Sequence, residues 1–159
     1  LRWDVESDRV LYEGDPSFFL EGVTELHAQN VVRSKGLSPT TVQYSELTLT
    51  AFYLEKLSSE EVLRRAFLTG DFTRLREAID ERLGAGVFDD VLAADVRIAH
   101  DRGCRRLVEA MKAHNVSSTS WFDDNPMIDI LAKELRDRSR KGRGPWFGEP
   151  PCLPSRGEL

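Results

Sequence analysis

Cysteine, methionine, long apolar runs and an excess of basic charge are what this chain has least of. Its two cysteines, Cys104 and Cys152, fall in no CxxC or Cys/His spacing. Neither a disulfide framework nor a zinc site is therefore read from them, and a reducing compartment is the default. No apolar stretch approaches the roughly 18–20 residues that cross a bilayer, so membrane insertion through a spanning helix is not expected. Lys and Arg number 22 against 27 Asp and Glu, a net charge of −5. Neutralising phosphates drives nucleic-acid association, so this balance argues against a nucleic-acid partner while leaving room for a local basic patch. Strand-like alternation is short wherever it occurs. No activated nucleophile, metal cluster or phosphate-cradling glycine loop stands out, so neither an enzyme nor a cofactor is expected.

What remains is a chain of 159 residues, 40% hydrophobic and 31% charged, enough for one domain with a real core. It begins at Leu1 rather than Met, which suits removal of an organellar presequence and equally suits a start that is simply missing. Residues 1–15 read as an irregular arm carrying Trp3, Val10 and Tyr12 among charges. Asp15-Pro16 then makes a cap and first-turn pair for a helix over 16–34, closed by Lys35-Gly36. The spacing predicts further helices over 40–57, from Ser59 to about Leu68, and from Phe72 to Leu83. After the Gly84-Ala85-Gly86 break come Val91–Ala99, Arg105–Ala113 and Pro126–Arg138. Residues 139–159, rich in Gly and Pro, read as an extended tail. The class is all-α.

Two echoes suggest an internal repeat. Leu75-Arg76-Glu77-Ala78 matches Leu107-Val108-Glu109-Ala110 at a separation of 32, and Phe88-Asp89-Asp90 matches Phe122-Asp123-Asp124 at 34. A period in the low-to-mid thirties is that of helical-pair repeats, in which each pair buries its face on the next. The stretch GLSPTTVQYS, residues 36–45, has the order expected of a joint between two such pairs. Gly36 ends one helix, Pro39 stiffens the crossing, and Tyr44 enters the next helix as a packing residue.

That joint resembles the junction of pentatricopeptide repeats, and roughly residues 17–124 fit degenerate pairs. The resemblance implies a short right-handed superhelix of about three helical hairpins over 16–138. In that family, polar residues at the start of the first helix and at the repeat's end read single-stranded RNA. Carried over, Ser45 occupies the base-reading position and Thr40 the preceding repeat's terminal position. The pairs beginning near Ser58 and Val87 lack a Tyr-Asn or Tyr-Ser start, so RNA binding stands as the alternative reading.

A second resemblance covers more of the chain. RWDVESDRVLYEGDP, the helix after it, SPTTVQYSELTL and TGDFTRLREAIDERL keep the order and spacing of a pentatricopeptide-like family. These are the small accessory subunits bound to the alpha subunits of the euglenozoan mitochondrial ATP synthase head. The resemblance implies a non-catalytic matrix protein, associated with the inner membrane only through that complex. No contact motif transfers.

Other chemistry reads as structural. His27, His100 and His114 lie on separate helices and suit hydrogen-bonded or solvated roles. Asp89-Asp90 and Asp123-Asp124 could hold a hard cation, but without a third acid in either loop helix capping is the preferred reading. The basic run Arg136–Arg143 suits a solvated helix end. Trp146 and Phe147, set among Gly and Pro, are possible partner anchors.

Overall fold

A computed structural model describes residues 2–4, 9–11, 17–37, 45–95, 101–123 and 125–140. Its helices are Ser17–Ser34 (α1), Ser45–Leu57 (α2), Glu60–Thr69 (α3) and Thr73–Leu83 (α4). They continue with Val87–Ala94 (α5), Arg102–Ala113 (α6) and Pro126–Arg140 (α7), with a 3-10 turn over Thr119–Trp121. The all-α class holds. One part of the arm departs from the irregular reading: Arg2–Asp4 (β1) and Arg9–Leu11 (β2) pair antiparallel, Trp3 opposite Val10. Segments of three residues are too short to show alternation, yet they still satisfy one another's backbone groups.

Local chemistry explains most helix ends. Gly36 adopts φ 71°, and the N–H of Leu37 returns to the carbonyl of Val32, so the left-handed turn expected after Lys35 closes α1. Ser59 caps α3 by accepting from the N–H of Val62 at 3.1 Å. The fifth helix is the exception. It spans Val87–Ala94 rather than beginning at Val91, because Asp80 of α4 reaches forward to its first turn. One Asp80 oxygen accepts from the N–H of Gly86 and the other from that of Phe88, both at 3.0 Å. A borrowed cap therefore starts the helix a turn earlier than its own sequence indicates.

Helix α2 sits at the centre. It packs against α1, α3, α4, α6 and α7, and ten of its thirteen residues are buried. A helix apolar on all sides must lie inside a protein, and α2 carries Leu47, Leu49, Ala51, Phe52, Tyr53, Leu54 and Leu57 around its circumference. The rings of Trp121 and Phe122 close over it, Tyr53 to Trp121 at 6.1 Å and Phe52 to Phe122 at 5.9 Å. Full burial of such side chains contributes about 1.5–3 kcal/mol each, which offsets the weak helix propensity of Thr48 and Thr50. Thr50 also bonds back to the carbonyl of Glu46 at 3.0 Å.

The α1–α2 crossing depends on Gly22. A Cβ built there would overlap the carbonyl oxygen of Leu47, so only glycine lets the two backbones approach this closely. At the other end of α2, Arg82 of α4 donates to the carbonyl of Leu57 at 2.9 Å. That guanidinium satisfies a group the helix end leaves open.

Candidate functional site

Gly36 closes α1 as expected, whereas Pro39, Thr40 and Tyr44 lie outside the described residues. So do Trp146 and Phe147, the possible partner anchors, and His100. Ser45 is placed, and it is fully buried (0% exposed). Its hydroxyl touches no solvent and has no hydrogen-bond partner among the described residues. This corrects its assignment as a base-reading residue. As the first residue of α2 it is drawn inward with the rest of that helix, and a base could not reach it.

The Asp89-Asp90 pair takes another role, and Asp124 of the second pair lies outside the described residues. Asp89 and Asp90 stand in the first turn of α5 without capping it. Asp89 pairs with Arg76 of α4 and Asp90 with Arg106 of α6, each at 3.2 Å. Among the described residues no group of acids, histidines and cysteines could hold a metal ion, and no helix is long and apolar enough to cross a membrane. Cys104 is a buried thiol in the core, in no disulfide.

Two polar clusters remain. The first lies at the α5–α6 junction. Asp95 follows α5 and accepts from the N–H of Gly103, in the first turn of α6, at 2.6 Å. Burial raises the Asp95 carboxyl to about 7, with the charges of Asp101 and Glu46 adding to the shift and the Gly103 bond opposing it. Asp101 is itself buried and bonded to Arg105 at 2.7 Å.

The second cluster lies where α1, α2 and α3 meet. The His27 ring of α1 stands edge-on to Phe67 of α3, with centroids 5.7 Å apart. Burial lowers the His27 pKa; Glu60 works against this and Arg64 adds to it. Glu55 of α2 is shifted upward, chiefly by burial and then by Glu60, while Lys56, Arg33 and a hydrogen bond from Asn30 pull it back. His27 Nε2 and Glu55 Oε2 are buried without hydrogen-bond partners among the described residues, which costs free energy. Three of the exposed large hydrophobic residues belong to the same side: Val31 on α1, Leu37 just beyond it and Leu68 on α3.

Neither cluster was evident from sequence, since each joins residues from three helices. The one available signal was α2 itself, whose apolar residues follow no single stripe and so announce burial on every side. Ordinary catalytic geometry is lacking among the described residues: no histidine is oriented by a carboxylate toward a nucleophile. No family model, curated protein or solved structure matches this chain.

Proposed function

We propose that this chain is a non-catalytic accessory subunit of the mitochondrial ATP synthase, bound outside the catalytic head on the alpha subunit. It would reside in the matrix and reach the inner membrane only through that complex. The order and spacing of the sequence stretches resembling such subunits suggest the partner. The burial of Ser45 is the single structural observation that carries the preference for this reading over RNA binding. With its base-reading position turned inward, the pentatricopeptide likeness extends to architecture and not to a code.

In this reading α1–α2, α3–α4 and α5–α6 are three degenerate hairpins of a short right-handed superhelix. The superhelix is drawn tight enough for α6 and α7 to return to α2. Helical-hairpin proteins bind through broad faces rather than through a reactive centre, consistent with the clusters described above.

Purification of the native complex from cells, with the chain tagged, provides the test. The expected outcome is co-elution with the catalytic head under mild salt and cross-links to the alpha subunit. Elution as a free monomer, or with RNA that nuclease releases, would reject the assignment.

A further inference from the structure

Among the described residues, the α1–α3 side carries Val31, Leu37 and Leu68, three of the four exposed large hydrophobic residues. Val31 is 60% exposed and Leu68 71%, values that isolated aliphatic residues reach on many surfaces. Here they belong to two helices that touch. The His27–Phe67 contact brings α1 and α3 together. Val31 lies one turn beyond His27 on the same stripe, and Leu68 lies one turn beyond Arg64 on α3. Arg64, one turn before Leu68, acts electrostatically on His27 and so borders the same ground.

Around these aliphatics stand the exposed cations Arg33, Lys35, Arg64 and Arg65, against exposed Glu60 and Glu61. The local excess is positive on a chain whose total is −5. Among the described residues none of the four cations forms an ion pair, and the ion pairs found there join α4 to α5, α5 to α6, or residues within the α6 turn. Two exposed aliphatics with unpaired cations at their edge match the anatomy of an interface, an apolar centre within a charged rim.

We propose that the α1–α3 face docks a protein surface in which carboxylates surround an aliphatic centre. The proposal rests on the accessory-subunit reading and names the face through which that subunit is held. Single-stranded RNA fits the face less well. Its bases need exposed aromatic platforms, while Phe67 is half-buried against His27. The carboxylates of the partner would meet Arg33, Arg64 and Arg65, and its aliphatics would cover Val31 and Leu68. Charge complementarity then sets the rate and orientation of docking, and aliphatic burial holds the complex.

Full-length tagged chains expressed in the cells that make the complex test this: wild type, Val31→Asp/Leu68→Asp, Arg64→Glu/Arg65→Glu and Ile130→Asp. Ile130, 36% exposed on α7, is the control for a surface aliphatic elsewhere. Both α1–α3 double variants are expected to lose at least about tenfold of the co-eluting complex, since a buried unpaired charge costs well over 1.4 kcal/mol. Ile130→Asp should retain it, and thermal melts of all four should lie within a few degrees of each other. Co-elution of the double variants at the wild-type level would overturn the docking face while leaving the accessory-subunit reading intact. Failure of wild type to co-elute would remove that reading and this proposal with it. Retention of a random single-stranded RNA by wild type, lost in Arg64→Glu/Arg65→Glu with co-elution unchanged, would assign the face to nucleic acid instead.

Discussion

Between α4 and α6, ion pairs and a borrowed cap tie helix to helix, whereas α1 and α3 meet through a ring contact and leave aliphatic side chains exposed. Asp80 caps α5 from α4, Arg76 and Arg106 hold its first turn from both sides, and Asp95 accepts from the start of α6. On the α1–α3 side, His27 Nε2 and Glu55 Oε2 are buried without partners and the aliphatics face solvent. One region spends its side chains on internal order. The other has fewer such ties, although buried atoms without hydrogen-bond partners occur on both sides, Arg76 Nη2 and Arg105 Nε among them.

The sharpest way to break this contrast is at Gly22. Alanine there would collide with the Leu47 backbone and is expected to cost about 3 kcal/mol, the upper range for overpacking. Urea denaturation should show the loss. Hydrogen exchange should place the early opening in α1, with α4–α6 amides still protected; uniform loss of protection would mean that the two regions are one unit.

Asp80→Ala tests the opposite side. Two first-turn N–H groups of α5 lose their acceptor, which should cost about 1–2 kcal/mol. Amides of Gly86 and Phe88 should exchange faster while α1 is unchanged.

Asp95 adds a dependence on pH. Its folded pKa, about 7, lies above the ordinary 3.8, so the folded state holds its proton more tightly. The stability this proton contributes is present below about pH 4 and is lost as pH rises toward 7. Asp95→Asn keeps an oxygen acceptor for Gly103 without the buried charge. It should gain stability relative to wild type as pH rises from 5 to 8. Parallel melting curves across this range would refute the assignment.

The smallest effect is expected from Arg106→Gln, which removes a partly exposed pair with Asp90. Such pairs contribute about 0.2–1 kcal/mol, and 0.5 M salt should erase the difference from wild type.

Local signals made much of the fold legible. The Ser59 cap, the Gly36 turn and the Leu75, Ile79, Leu83 stripe each mark a helix that the structure contains. The start of α5 was missed because its cap comes from Asp80, on the preceding helix. The burial of Ser45 was missed for a related reason: a serine opening a helix suits either surface or interior until the helices around it are placed. His27, Glu55 and Glu60 meet only through tertiary packing, and no spacing along the chain encodes that meeting.

The central place of α2 has a consequence for how such a chain can change over evolutionary time. A linear array of hairpins gains or loses whole units at its ends, because each touches only its neighbours. Here α6 and α7 pack on α2, so deleting them would strip cover from a helix near the start of the described fold. Helices far apart along the chain depend on one buried helix, so a change in the number of helices is a change to the core itself.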